Sequence, residues 1–284
     1  MVMGWTQDDG QTNVGSPSTY QTEQDMKNTI KGLLHALTDE DCQTLFSYYP
    51  ASDFEEDLQD YEARKRPSDP VVPVHYYRIA RIMRDLLYTC SSIDLGYEMS
   101  RQSRALNRYF PGVRLYDFNQ TMFTPLYNGA GRPYQGVSHG SDEPYVYNGL
   151  FVDGNITDVD KDLSKAVAGA FIQFAHTGNP SCTKDDRFKL WPESFPASRA
   201  LGSNTPSGPS SIYVEVIGGP WGTGPGYLTN QQGILGSIQA LLGVGATKTD
   251  IDSSAPPERL RQLQRQKLLQ RCKFINSLSE RMDN

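Results

Sequence analysis

His139 lies in the stretch Gly136-Val137-Ser138-His139-Gly140-Ser141-Asp142-Glu143-Pro144-Tyr145-Val146-Tyr147. Set among glycines and small residues in a long loop, its imidazole can be offered to a cleft and can exchange a proton near neutral pH. A catalytic imidazole needs a carboxylate that fixes its tautomer and stabilises the imidazolium. The best-placed acids are Asp9 and its neighbour Asp8, ahead of Gly10 at the end of a short apolar run, because strand ends are where α/β folds gather their chemistry. On its own, Asp8-Asp9-Gly10 reads as a turn. Together with His139 it gives an acid followed by a base, the order of the last two members of a Ser…Asp/Glu…His set. The serine is harder to place. The literal Gly-x-Ser-x-Gly match is Gly136 to Gly140, centred on Ser138, inside the histidine loop itself. A nucleophile elbow turns from a strand directly into a helix, and Pro144 and the polar run after Gly140 argue against a helix there, so Ser138 is a poor nucleophile. His35, His75 and His176 lie in or beside predicted helices and read as structural; His176 stands near a helix end, where a cation suits the dipole.

The elements that must position these residues follow from periodicity. Met1 to Thr6 reads as a buried strand ended by the turn Gln7-Asp8-Asp9-Gly10. Thr22 followed by Asp25 resembles a capping box, with Met26, Ile30, Leu33, Leu34 and Leu37 at helical spacing; a second helix starts at Thr38, with Leu45 and Phe46 on its apolar side. Tyr76 through Cys90 reads as a helix with Ile79, Ile82, Met83, Leu86 and Leu87 inward and Arg78, Arg81 and Arg84 on the surface. Phe110 to Asn119 is strand-like, Asp162 to Thr177 is a helix capped by Gly178, and Ser211 to Ile217 is a strand. Residues 182–210 read as loop and 218–256 as Gly-rich and irregular. Pro256 and Pro257 open one long amphipathic helix through Leu278 that docks on a core. The order of strand, helices, strand, loop, helix, strand and helix is α/β, without an internal repeat.

Composition bounds the function. The 284 residues are 37% hydrophobic and 21% charged, as in ordinary folded chains. With 27 basic against 33 acidic residues and a net charge of −6, a broad footprint for nucleic acid or anionic lipid is absent. The longest weakly polar stretch, Gly233 to Ala246, is about 14 residues, short of the roughly 20 needed for a membrane span. Met1 to Trp5 carries no basic segment leading into a long apolar one, so no signal peptide is read and the chain as written looks cytoplasmic. Against that stand two N-glycosylation sequons, at Asn119 and Asn155, and an even count of four cysteines. No cofactor or metal is expected.

The motifs together resemble the type-B carboxylesterase and lipase family, which includes cholinesterases and fungal esterases. Met1 to Gly10 is similar to the family's strand followed by Asp-Glu-Gly, whose second acid is the catalytic carboxylate, which would be Asp9; here an Asp, one methylene shorter, stands where the family usually has Glu. Gly136 to Tyr147 resembles its Gly-x-x-His-Gly-x-Glu/Asp-x-Pro-Tyr-Val-Phe segment, which makes His139 the triad base. Ala170 to Ser181 resembles its Trp-x-x-Phe-Ala-x-Thr-Gly-Asp-Pro-Asn signature, Trp191-Pro192 its Trp-Pro, and Cys272-Lys273-Phe274 its terminal Cys-x-Phe-Trp.

The resemblance implies the C-terminal part of an α/β-hydrolase fold, a single domain over residues 1–284, with a disulfide between Cys90 and Cys272 and no assigned partner for Cys42 or Cys182. Such a pair closes a loop of about 180 residues, worth roughly 5 kcal/mol in the chain-entropy model. The Gly-rich oxyanion loop and the nucleophile elbow have no counterpart here. The implied function is a carboxylic ester hydrolase part that contributes acid and histidine to a small-molecule ester substrate and is inactive without a nucleophile-bearing N-terminal half as partner. Alternatives are a binding relative that keeps the scaffold, or a decayed esterase. Strands flanking residues 1–6 would belong to the other half, so an unpaired edge and poor solubility are expected. Members of this family are often secreted.

Overall fold

Side-chain alternation along three short strands sets the layers of the molecule. In the computed structural model, which describes residues 1–106, 110–149, 152, 156–181, 184–196, 209, 211–229 and 255–282, the run Val2–Thr6 forms β1. It pairs in parallel with β2 (Arg114–Phe118), with Val2 opposite Arg114 and Thr6 opposite Phe118. β2 pairs in parallel with β3 (Ser211–Ile217), and β3 pairs antiparallel with β4 (Gly224–Thr229). The order is β1-β2-β3-β4, which leaves β1 at an edge. Met3, Trp5, Leu115, Val214 and Val216 join one apolar cluster, while Val2, Tyr116, Phe118 and Ile217 join a second. Helices therefore cover both faces, the α/β arrangement expected. β4 falls in a stretch that reads as irregular, because its glycines, Pro225 and short length hide the strand pattern.

The first face is covered by α1 (Glu23–Leu33), α2 (Asp39–Ser47), α3 (Glu55–Arg64), α4 (Val74–Arg84) and α5 (Cys90–Ala105), the last two joined by a π-helical turn at Asp85–Thr89. Thr22 with Asp25, and Thr38 with Asp41, form complete capping boxes that fix where α1 and α2 begin. The helix expected to stop at Cys90 runs through the π turn to Ala105. Its arginines differ from expectation too: Arg78 and Arg84 are buried, and the Arg81 side chain is only 10% exposed. Residues 78, 81 and 84 recur every three positions and share one helix face. That face turns inward because acceptors wait there: Arg78 Nε donates to Tyr49 O at 2.7 Å, and Arg84 Nε to Asp85 Oδ1 at 2.8 Å.

The chain passes through α6 (Thr124–Gly129) and α7 (Glu143–Val146) to α8 (Asp158–Thr177), which covers the second face and ends at Gly178. α7 is a single turn with Pro144 in its first turn, where a missing N–H costs nothing, so the polar run after Gly140 does hold a short helix. At the C-terminal end, the expected single helix is three: α9 (Pro257–Arg265), α10 (Leu268–Ser277) and α11 (Ser279–Met282). The break falls at Lys267, a non-glycine residue with φ +51°, whose Nζ lies 2.7 Å from Asp53 Oδ2. Gln266, just before it, is turned into the core at 1% exposure.

Cys90 and Cys272 form a disulfide that ties α5 to α10. Cys42 is a buried free thiol, whose burial pushes it above the usual thiol range; Cys182 lies outside the described residues, as does the sequon asparagine Asn155. The other sequon does not suit a glycan. Asn119 is 7% exposed and its Nδ2 donates to Asp117 O at 3.3 Å, so a sugar on it could not be accommodated in this fold. Among the described residues no helix is long and apolar enough to cross a membrane.

Candidate active site

β1 ends at Thr6, and the chain turns through Gln7 and Asp8 into a 3-10 turn, Asp9–Asn13. Gly10 follows the acids because the turn is pressed against α4: a Cβ there would stand 1.9 Å from Ala80 O and 2.4 Å from Arg84 N. The close approach folds Asp9 back under the end of its own strand, where Thr6 N–H donates to Asp9 Oδ2 at 3.0 Å. Its other oxygen, Oδ1, meets His139 Nδ1 at 2.7 Å. A carboxylate can only accept, so Nδ1 carries the proton and Nε2 is left with its lone pair free.

Burial drives the Asp9 carboxyl above the ordinary aspartate range, opposed by the Thr6 amide and by the imidazole. Asp9 is 4% exposed whereas the His139 side chain is 56% exposed. The acid is thus embedded and the base open, the polarity a proton relay to an outside group requires. Tyr88, from the π turn, stacks on the imidazole with ring centroids 4.6 Å apart and an interplanar angle of 23°. Its hydroxyl donates to Asn13 Oδ1 at 2.9 Å. With Nδ1 on Asp9 and one face on Tyr88, the ring presents Nε2 and its second face, for which no hydrogen-bond partner exists among the described residues.

The histidine loop is itself held to the acid turn. Asp8 N–H donates to Val137 O at 2.9 Å, Val137 N–H to Asp8 Oδ2 at 3.0 Å, and Gly136 N–H to Gln11 Oε1 at 2.8 Å. Downstream of His139, Asp142 Oδ2 accepts from Tyr116 OH at 2.8 Å. Ser138 is 1% exposed and its Oγ is hydrogen-bonded to Tyr127 OH, so it faces inward, away from any nucleophilic role. Two of the other histidines are engaged locally, His35 Nδ1 at 2.8 Å from Lys31 O and His75 Nδ1 at 2.9 Å from Arg78, while His176 stands in the last turn of α8.

The structure therefore brings together Asp9 and His139, 130 residues apart in sequence, and turns the Asp8 carboxylate onto the Val137 amide instead. Tyr88, Gln11 and Tyr116 had no signal in the sequence as site residues, and Asp142 stood only as the acidic position of the histidine-loop motif. The nearest hint was Tyr88 within a helix whose apolar stripe passes to its other side.

A carboxylesterase family model matches residues 1–201. The chain belongs to the carboxylesterase family. It is 29% identical over 224 residues to the inactive carboxylesterase-like protein VdtD of Byssochlamys spectabilis, a match covering 77% of this chain and 35% of that protein. It is 26% identical over 282 residues to a secreted lipase of Arthroderma benhamiae, covering 97% of this chain and 38% of the relative. The chain thus spans little more than a third of the length of these two curated relatives. Among solved structures, Aspergillus niger EstA superposes with a TM-score of 0.54 at 15% identity, over 100% of this chain and 40% of that one. This likeness gives the fold, that of part of an α/β-hydrolase.

Proposed function

We propose that residues 1–284 form, as one domain, the C-terminal part of a type-B carboxylesterase domain and supply the acid, Asp9, and the base, His139, for hydrolysis of a carboxylic ester. The serine and the oxyanion hole come from a nucleophile-bearing N-terminal half. One observation carries this reading: the 2.7 Å hydrogen bond from His139 Nδ1 to the buried Asp9 carboxylate, with Nε2 left free. In the assembled site Nε2 takes the serine proton as Oγ attacks the ester carbonyl, and Asp9 stabilises the imidazolium that forms. The same proton then goes to the departing alkoxide, and water repeats the cycle on the acyl-enzyme. The substrate is a small-molecule ester, as relatives named carboxylesterase-like and lipase support. Secretion of the whole protein is in keeping with the relative named a secreted lipase.

Mixing this chain with an N-terminal esterase half is expected to restore hydrolysis of a p-nitrophenyl ester, and His139→Ala to abolish it. Undiminished hydrolysis by the alanine variant would reject His139 as the base. A second reading has its own support in the relative named inactive: the chain keeps the scaffold as a non-catalytic protein. Under that reading no complementing half yields hydrolysis, and the alanine variant behaves as wild type in binding.

A further inference from the structure

Asp8, which the sequence leaves as an alternative triad acid, has another task in the fold. Its backbone and side chain both engage Val137: Asp8 N–H reaches Val137 O at 2.9 Å, and Asp8 Oδ2 accepts Val137 N–H at 3.0 Å. Three residues on, Gln11 Oε1 accepts the preceding amide, Gly136 N–H, at 2.8 Å. Two consecutive amides of the histidine loop are therefore clasped by two side chains of the turn that carries Asp9. Arg81 of α4 backs the clasp, 3.9 Å from Asp8 Oδ1 with its side chain 10% exposed. Gly136 completes the fit, since a Cβ there would stand 2.2 Å from Asp8 Oδ2.

We propose that Asp8, with Gln11, is a positioning latch that sets the register of the Gly136–Val137 backbone and so holds His139 Nδ1 on Asp9. The inference rests on the reading of Asp9 and His139 as the acid and base of the ester hydrolase. Neighbouring acids divide the work. Asp9 takes the imidazole, and Asp8 takes the backbone two residues before it, so that a loop of glycines and small residues carries its histidine in one place. Without the latch, the histidine loop loses two charge-assisted or amide acceptors at once, and the Asp9 hydrogen bond opens with the loop.

The test uses the full chain and the proton NMR signal of the His139 Nδ1–H to Asp9 hydrogen bond, assigned by its loss in His139→Ala. Asp8→Ala is expected to speed exchange of that proton with water roughly tenfold or more, or to broaden it away. Asp8→Asn, whose amide oxygen can still accept Val137 N–H, is expected to restore it in large part. Gly136→Ala breaks the same contact from the other side by displacing the Asp8 carboxylate, and should add little in the Asp8→Ala background. A folded Asp8→Ala with wild-type exchange overturns the proposal, as does an Asp8→Asn variant as impaired as Asp8→Ala. Should Asp8→Ala fail to fold, Gly136→Ala with unchanged exchange does the same. Complementation separates the two readings: no hydrolysis with an intact, latch-dependent signal rejects the catalytic reading and leaves the latch standing.

Discussion

Asp9 and Glu215 are both carboxyls that burial pushes above the ordinary range, yet they sit in opposite circumstances. Asp9 accepts the Thr6 amide and the His139 imidazole, one on each oxygen. Glu215, on β3 opposite Pro225 of β4, is 0% exposed, and neither of its oxygens has a hydrogen-bond partner among the described residues. Arg259 opposes the upward shift of Glu215, but its guanidinium is committed to the carbonyls of Trp221, Thr223 and Pro225. Desolvation alone turns an acid into a neutral, inert group; donors aimed at its oxygens keep a charge available for use. The part of the molecule proposed to do chemistry is the part where those donors are present.

The comparison breaks hardest at Asp9. In the complemented esterase, Asp9→Asn is expected to lower kcat by roughly 10⁴-fold, because an amide favours the wrong imidazole tautomer. The fold should survive. A folded-state pKa above the unfolded one means that folding favours the uncharged carboxyl, so the stabilising contribution is whole below the unfolded pKa and lost as pH rises through the folded one. Asparagine does not titrate, so in urea unfolding the stability of Asp9→Asn relative to wild type should rise as pH climbs through the folded-state pKa of Asp9. A gap that stays constant with pH would mean that Asp9 titrates as an ordinary aspartate.

Asp85 sharpens the contrast, as a buried acid with a full set of partners. It accepts Arg84 Nε at 2.8 Å and Tyr49 OH at 2.7 Å, and both charged side chains are 0% exposed. Arg84 also donates to Gln266 Oε1 at 2.8 Å and Gln7 O at 3.3 Å, so the pair braces the turn under Asp9. Asp85→Ala leaves a guanidinium buried without its counter-ion and is expected to cost about 3–5 kcal/mol. Urea unfolding measures this; a loss below about 1 kcal/mol would show that water or Asp117 takes over the charge.

Much of this could be read in the chain. Strand β1 followed from a short apolar run ended by a turn, the start of α1 from the Thr22-x-x-Asp25 spacing and that of α2 from Thr38 ahead of Leu45 and Phe46; a histidine stranded among glycines left Asp8 and Asp9 both open as its partner, and the structure sets Asp9 against it. What escaped reading depends on tertiary acceptors. The inward arginines of α4 look solvated until Tyr49 O and Asp85 are placed beside them. The break at Lys267 lies inside an unbroken amphipathic pattern, and only the packing of Gln266 onto Asp117 and Arg84 gives it a reason. Tyr88 was invisible as a site residue because a π turn shifts the face on which a helical side chain emerges.

Glu215→Gln tests the undefended side of the comparison. With its folded-state pKa raised, the wild-type contribution is complete below the unfolded glutamate pKa and declines as pH climbs toward the folded one. Glutamine does not titrate. Its stability relative to wild type should therefore rise between pH 5 and pH 8 in urea unfolding, a gap that widens with pH. A constant gap would mean that Glu215 titrates as an ordinary glutamate and that desolvation does not govern it.

The smallest expected effect is at Tyr88, and it isolates what stacking adds to a donor–acceptor pair. The ring lies 4.6 Å from the imidazole centroid, its hydroxyl anchored on Asn13. Tyr88→Leu keeps bulk but removes the π face, a loss of about 0.5–1.5 kcal/mol. The His139 ring protons should move downfield as the ring current disappears, with the hydrogen bond to Asp9 retained. Tyr88→Phe keeps the face and loses only the Asn13 contact, so the shifts should stay near wild type. If both variants shift alike, the Asn13 anchor rather than the stack orients the ring, and the imidazole is held at one point instead of two.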